Sequence, residues 1–289
     1  MTSQSIWNED GGLRIRNESS AEAKQAVKSA GKPQSGSFFG LEWDRPGSSS
    51  PWPSFDQFPE HLRVGPWSPL AYIFLAAFIS FVAFSAGWAF ADLPKLTAAE
   101  PEGSFIQLVH GAGALYMTTV LTFTLKSTGL WPFVSYTAIS YVLMTLRFTF
   151  VFLGCRTAAE ILRFPVVAMA TVTSTIWWLV LFPVILAFAA PKNRRAFLKM
   201  NLSWFLFNMH LLNLPIALAS QWSHTRPLVF LDFWVASILA ACYLFFYLLV
   251  MDPNGLHLYI ILSPRPWWCI ISYLGILLLY AQLFHVFGS

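Results

Sequence analysis

The stretch VFLDFWVASILAACYLFFYLLVM, residues 229–251, sets the fold class because it carries a single charged side chain, Asp232, in 23 residues. A helix needs about 20 apolar residues to cross the roughly 30 Å of hydrocarbon in a bilayer. Since Asp232 lies near one end of the stretch, residues 229–251 predict a transmembrane helix.

Further stretches of this kind lie on both sides of residues 229–251. The same criterion of length and composition is met by residues 68–91, 131–154, 161–190, 200–221 and 267–287. Residues 105–125 are also apolar, but they contain His110, Gly111 and several threonines, so they indicate either a span or a re-entrant segment. The chain is 56% hydrophobic and 11% charged, whereas a soluble domain is about 25% charged. We therefore predict an all-α fold, a polytopic transmembrane helix bundle of six or seven helices with a largely irregular N-terminal tail.

The positions of Lys and Arg favour seven helices. With seven, the tail, Lys126, residues 192–199 and Arg265 share one side of the membrane, whereas with six the tail and residues 192–199 fall on opposite sides. Basic residues accumulate in cytoplasmic connections. We therefore prefer seven helices, with the tail on the positive, cytosol-like side.

The chain divides into a polar and aromatic N-terminal tail, residues 1–66, and a transmembrane helical domain, residues 67–289. The tail is rich in Gly, Ser, Pro and charge and holds seven of the 18 Lys and Arg. Such a composition is typical of segments that build no core of their own. Within the chain, residues 38–67 carry seven Trp and Phe among prolines. Aromatics of this kind favour the membrane interface, so we expect residues 38–67 to contact membrane lipids or other membrane subunits.

The composition also excludes several classes of protein. No basic stretch interleaved with exposed aromatics indicates a nucleic-acid partner. The three cysteines, Cys155, Cys242 and Cys269, have no paired spacing and predict neither a disulfide framework nor a metal site. The first 20 residues contain Glu9 and Asp10 and no apolar run, which argues against a cleaved signal peptide. We expect no cofactor.

Ionisable side chains inside a bilayer are costly and mark candidate functional sites. His210 lies near the middle of its predicted helix, within NMHLLNLP, residues 208–215. Asn213 shares a helix face with His210 at i+3, Asn208 precedes it, and Pro215 frees a backbone carbonyl one turn earlier, at Leu211. The alternative is a neutral imidazole bonded to a neighbouring helix.

A second polar pair, Thr137 and Ser140, lies on one face of the helix predicted at residues 131–154. A threonine hydroxyl becomes a nucleophile when a base removes its proton, and a neutral imidazole can be that base. Thr137 as nucleophile and His210 as base are therefore the candidate catalytic residues, although such hydroxyls commonly bond only to the preceding turn of their own helix. Arg147, further along this helix, is expected to snorkel or to pair with an acid such as Glu160 or Asp232.

Short motifs with a common order connect these residues to a known family. They are FVSYTAI at residues 133–139, NMH at residues 208–210 followed by Leu214-Pro215, and NGLHLY at residues 254–259. From about residue 131 to 289 the chain resembles the androgen-induced-protein family of multi-pass membrane threonine hydrolases, whose distant relatives include the rolling-stone proteins. In that resemblance Thr137 takes the place of the nucleophile and His210 that of the base.

The resemblance implies an intramembrane hydrolase of lipid-like esters, such as fatty acid esters of hydroxy fatty acids. Asn208, Asn213 and Ser140 are the candidate substrate-binding residues. The tail and a helix additional to the family core favour an alternative, a non-catalytic accessory subunit of a larger membrane complex that binds lipids and partner subunits. A haem or ion carrier using His110, His210 and His285 has little support, because these histidines are not at matched depths. A transporter has little support because few charges lie inside the predicted spans.

Overall fold

The computed structural model describes residues 36–38, 41–43, 60–97, 103–188, 191–222 and 226–288. Two short strands, β1 (Gly36–Phe38) and β2 (Leu41–Trp43), pair antiparallel with Gly36 opposite Trp43. They belong to a separate compact unit, residues 1–47. The remainder of the aromatic segment predicted to meet partners, residues 39–40 and 44–59, lies outside the described residues.

The helical unit contains helices of very different lengths. They are α1 (Pro69–Ala91), α2 (Leu93–Thr97), α3 (Ser104–Thr128), α4 (Tyr136–Phe152), α5 (Arg156–Ile161), α6 (Arg163–Ile176), α7 (Phe182–Phe188), α8 (Pro191–Asn201), α9 (Trp204–Phe207), α10 (Asn213–Trp222), α11 (Phe230–Phe246) and α12 (Cys269–Gly288). Short 3₁₀ turns occupy Glu60–Leu62, Trp131–Val134 and Ile260–Leu262. Wider π-helical segments at Trp177–Leu181, Asn208–Leu212 and Tyr247–Met251 extend α6, α9 and α11.

Five helical segments in the described part of the chain are long and apolar enough to cross a membrane. They are Pro69–Ala91, Ser104–Ser127, Arg156–Ala187, Phe230–Met251 and Cys269–Gly288. The prediction of an all-α, multi-pass integral membrane protein is therefore confirmed. The ambiguous residues 105–125 belong to one continuous helix of 25 residues, α3.

Two further helices complete the bundle. The helix predicted at residues 131–154 is the shorter α4, with 17 residues, because Pro132 lies in a 3₁₀ turn and the Ser135 hydroxyl caps the helix by accepting from the Ala138 N–H at 3.2 Å. Residues 204–222 form the other helix, from α9 through a π segment to α10. Asn208, His210 and Asn213 make it more polar than the five long spans.

Hydrogen bonds between the segments that connect the helices identify the two ends of the bundle. Before α1, the Ser68 N–H donates to the Pro264 carbonyl at 2.8 Å. After α1, the Asp92 carboxylate accepts from the Phe230 N–H at 3.1 Å. We call the end with residues 60–68, 129–135, 191–203 and 252–268 the tail end, and the end with residues 92–97, 153–162 and 226–229 the far end. The basic residues 192–199 and Arg265 thus lie at the tail end, as the seven-helix prediction requires.

Residues 60–68 are bound by their own chain. The Ser263 hydroxyl donates to the Leu62 carbonyl at 2.6 Å, and the Arg265 Nε–H donates to the Gly65 carbonyl at 3.1 Å. The sequence predicts that residues 38–67 contact membrane lipids or other membrane subunits. For residues 60–67, hydrogen-bonding groups of the connection between α11 and α12 hold part of the backbone, and contacts with lipids or other subunits stay a prediction.

Buried charges meet at the far end. Arg226 donates to Glu160 at 2.6 Å and to both Asp232 oxygens at 2.9 and 3.1 Å. Burial alone would lower the pKa of Arg226, but hydrogen bonds and charge interactions with Asp232 and Glu160 raise it. Glu160 and Asp232 were the partners expected for Arg147. The Arg147 guanidinium donates to the Ser220 hydroxyl.

Membrane topology can be tested by cysteine labelling. We expect Glu60→Cys and Lys199→Cys, each in a chain whose three native cysteines are alanine, to react with an impermeant maleimide from one side of sealed vesicles. A chain that retains only Cys155, which is exposed at the far end, should react from the opposite side. Labelling of Glu60→Cys together with Cys155, opposite Lys199→Cys, would instead indicate six spans.

The Arg226 contacts predict a large effect on stability. Arg226→Gln should lower the free energy of unfolding by about 3 kcal/mol, because the buried Asp232 carboxylate loses its counter-charge. Glu160 loses its shorter contact and keeps the contact with Arg163 at 3.7 Å. Lys95→Ala is the matched control: Lys95 bonds to Asp92 at 2.6 Å but is 64% exposed, so its loss should cost less than about 1 kcal/mol. SDS titration of both variants in micelles measures the difference, and equal losses would contradict the role given to Arg226.

Candidate active site

The structure brings the two candidate catalytic residues together. Thr137 is the second residue of α4 and His210 lies in the π segment between α9 and α10, and both side chains are buried. The Thr137 Oγ1 is 3.4 Å from the His210 Nε2. This separation is longer than an ideal hydrogen bond, but contacts of this kind commonly shorten when substrate binds.

The hydrogen bonds of His210 fix which ring nitrogen faces Thr137. Its Nδ1 lies 3.2 Å from the Leu206 carbonyl. A carbonyl only accepts hydrogen bonds, so Nδ1 carries the proton and Nε2 presents its lone pair to the Thr137 hydroxyl. The neutral ring is therefore oriented to receive a proton from Thr137.

The π segment also exposes the backbone carbonyl of His210. Within the segment, the Asn213 N–H bonds to the Asn208 carbonyl, five residues earlier. In this pattern the donor for the His210 carbonyl would be residue 215, and Pro215 has no N–H. Ser174 and Trp178 donate to that carbonyl instead, at 3.1 and 3.0 Å. From the sequence, the carbonyl freed by Pro215 was expected to be that of Leu211, four residues earlier. Because the π-helical bonds join residues five positions apart, it is that of His210.

Trp177 packs against one face of the His210 imidazole. Its ring stacks on His210 with centroids 4.0 Å apart and an interplanar angle of 21°. The Trp177 Nε1–H donates to the Asn201 side chain at 2.9 Å. Trp177 begins its own π segment, so two such segments meet at the stacked rings. π segments are rare and frequently occur at functional sites.

Thr137 lines a large apolar cavity, whereas His210 contacts Thr137 but does not line the cavity. The cavity encloses about 860 Å³ of empty space, including the part open to the outside. Its walls are mostly aromatic and aliphatic and include Phe74 and Phe78 of α1, Tyr243 of α11 and Tyr273 of α12. The lining suits an apolar ligand whose uncharged part lies in the cavity and contacts Thr137.

Tyr259 lies beside Thr137 and was not among the candidates from the sequence. Burial raises the pKa of Tyr259, and hydrogen bonds from the Thr137 side chain and from the Thr137 and Tyr136 backbone act in the opposite direction. The phenol oxygen therefore lies at the N-terminus of α4, where backbone N–H groups have no partner within the helix. The only sequence signal for it was the motif at residues 254–259.

The three predicted substrate-binding residues do not line this cavity. The Asn208 side chain accepts from the Tyr116 hydroxyl at 2.6 Å and donates to the Trp204 carbonyl at 2.8 Å. Ser140 and Asn213 are fully buried, and the polar atoms of their side chains have no partner among the described residues. The cavity thus gives no support for substrate binding by Asn208, Asn213 or Ser140.

The connection that carries Tyr259 is held by a charged contact at the tail end. Arg265 donates to both Asp252 oxygens at 2.6 and 2.9 Å, and the His257 Nδ1 lies 3.3 Å from Asp252. Burial would raise the pKa of Asp252, but His257 and Arg265 hold it below its usual value. The Tyr247 hydroxyl donates to the Tyr259 carbonyl at 2.9 Å. Residues 252–265 therefore position Tyr259 against α4.

Comparisons with protein-family models, with curated proteins and with solved structures found no match to this chain. Across the described residues, no group of three or more His, Cys, Asp or Glu side chains is placed to hold a metal ion.

The Asp252 contacts predict how stability depends on pH. A lowered folded-state pKa stabilises the fold above the unfolded pKa, about 3.9 for Asp, and this contribution is lost as the pH falls through the folded value. Asp252→Asn should therefore lower the melting temperature by a constant amount at pH 5–7, and the difference from wild type should shrink below about pH 4. Melting curves between pH 3 and 7 measure it. A difference that grows on acidification would contradict this account.

Proposed function

We propose that the protein is an intramembrane hydrolase of lipid-like esters, with Thr137 as nucleophile and His210 as base. The observation that carries the proposal is the 3.4 Å contact between Thr137 Oγ1 and His210 Nε2 at the wall of an apolar cavity. The resemblance of residues 131–289 to the androgen-induced-protein family supplies the substrate class, fatty acid esters of hydroxy fatty acids.

The proposed reaction has two steps. In the first, the Thr137 oxygen attacks the ester carbonyl while His210 Nε2 accepts the hydroxyl proton. The carbonyl–alkoxy bond then breaks, and the protonated His210 returns the proton to the leaving alkoxide, which departs as an alcohol. In the second step, His210 activates a water molecule that attacks the acyl-threonine, releases the carboxylic acid and restores the Thr137 hydroxyl. No oxidant or cofactor is needed.

The N-terminus of α4 supports this chemistry electrostatically. Thr137 lies in the first turn of α4, where the positive end of the helix dipole favours negative charge. An oxyanion that forms on the substrate at Thr137 is close to the Tyr259 hydroxyl, whose oxygen already accepts from the Tyr136 and Thr137 backbone. Donors aimed at a developing oxyanion are commonly the largest electrostatic contribution to acyl transfer.

The position of Thr137 also favours access by both reactants. It is one residue from the start of α4, at the tail end of the bundle and not in the middle of its helix. In the proposed reaction a lipid enters the cavity by its apolar body, and water approaches the start of α4 from the tail end.

The nucleophile is tested by labelling purified protein in lipid nanodiscs with a fluorophosphonate. We expect labelling of wild type, none of Thr137→Ala, and a rate for His210→Gln reduced by about 10²–10⁴-fold, since a general base contributes that much. Thr145→Val is the control, because the Thr145 hydroxyl is buried but bonds to the Tyr141 carbonyl at 2.8 Å. It should label like wild type.

The same experiment separates the two functions. Well-folded wild-type protein that does not label, or Thr137→Ala protein that labels as fast as wild type, would overturn the hydrolase. The accessory-subunit alternative would then be preferred, and subunits that co-purify through residues 38–67 would be the next object of study.

A further inference from the structure

Two buried hydroxyls in the cavity wall have no hydrogen-bond partner. Thr173 of α6 is 4% exposed and Ser237 of α11 is fully buried. Both line the cavity, and neither side-chain oxygen bonds to another group within the described parts of the chain. A hydroxyl buried without a partner is costly, so these two positions need an explanation.

Other hydroxyls of the same region have backbone carbonyls as partners. Thr171, also in α6, donates to the Val167 carbonyl at 2.8 Å, and Ser174 donates to the His210 carbonyl at 3.1 Å. Thr173 lies between them in the sequence and makes no such bond. Ser140 and the Tyr141 hydroxyl are also buried without a partner, but neither lines the cavity. Thr173 and Ser237 thus differ from Ser140 and Tyr141 because they face a cavity that a ligand can fill.

The cavity wall restricts the chemistry of that ligand. No Asp, Glu, Lys, Arg or His is among its lining residues in the described part of the chain. The enclosed part of a ligand is therefore uncharged and mostly apolar. Because the rest of the wall is mostly apolar, a hydroxyl in it can hydrogen-bond only to a ligand that has an oxygen atom within its apolar chain.

We propose that Thr173 and Ser237 form an oxygen-binding subsite, which selects single-chain lipids with a hydroxyl or ester oxygen within the chain over unsubstituted chains. The subsite rests on the proposed function in that it belongs to the cavity in which hydrolysis would occur. Binding requires no turnover, so the two proposals can fail separately.

The test measures binding by displacement of a fluorescent fatty acid from Thr137→Ala protein in nanodiscs. The competing probes are 12-hydroxystearic acid and stearic acid. We expect the hydroxy acid to bind more tightly, and Thr173→Val and Ser237→Ala each to weaken its binding by about 3- to 10-fold, which corresponds to one net hydrogen bond. Binding of stearic acid should change less than about twofold, because the variants keep the apolar wall.

Two controls separate this role from a structural one. Thr145→Val removes a hydroxyl outside the cavity, and Thr173→Ser retains the hydroxyl inside it, so both should leave the preference for the hydroxy acid intact. Removal of an unpartnered hydroxyl breaks no hydrogen bond of the empty protein. The melting temperatures of Thr173→Val and Ser237→Ala should therefore be unchanged or raised.

The outcomes decide between the proposals. Equal weakening for both acids, no weakening for either, or a lower melting temperature of both variants would overturn the subsite. A preference that depends on Thr173 and Ser237 supports it, even if fluorophosphonate labelling fails and the hydrolase is rejected. Labelling without such a preference would leave the hydrolase and remove the subsite.

Discussion

No water reaches the apolar core of a bilayer, so a polar group there must find its partner within the protein. The charges that are buried in the protein at the far end of the bundle meet this constraint, because Arg226 bonds to Glu160 and Asp232. A second set of contacts nearby joins Arg147, Ser220 and the His110 Nε2, which lies 2.9 Å from the Ser220 hydroxyl. Each set connects helices that are distant in sequence. The alignment of the helices follows from these contacts, because shifting one helix along its axis would leave a buried charge unpaired.

The same constraint explains the irregular helices near the candidate site. A π turn leaves backbone groups without their usual partners, and in hydrocarbon those groups need side-chain donors. The His210 carbonyl receives two, from Ser174 and Trp178. These donors, the Leu206 carbonyl and the stacked Trp177 ring hold the imidazole firmly against Thr137. A rigid support of this kind suits a base, since the acceptor nitrogen must stay within reach of the hydroxyl through the reaction.

The candidate site was only partly predictable from the sequence. Thr137 and His210 stand out because a hydroxyl and an imidazole can act as nucleophile and base, and the structure brings their side chains within 3.4 Å. Asn208 and Asn213 looked equally suitable from their spacing, but helix spacing gives only the face of a helix and not what it meets. Asn208 bonds to Tyr116 of α3, a contact between residues 92 positions apart. Tyr259 was missed because its hydroxyl reaches α4 from a connection far along the chain.

The amino-acid sequence by itself determined the fold class, the approximate bounds of the spans and the preference for seven helices. These properties depend on hydrophobic length and on the positions of Lys and Arg, which are local features of the chain. Only the tertiary structure decided which polar groups meet: Arg226 with Glu160, Tyr259 with Thr137, and Thr173 and Ser237 on one cavity. The physical reason is that a hydrogen bond or a cavity wall depends on distances of a few ångströms between helices, and these distances follow from the packing of the whole bundle.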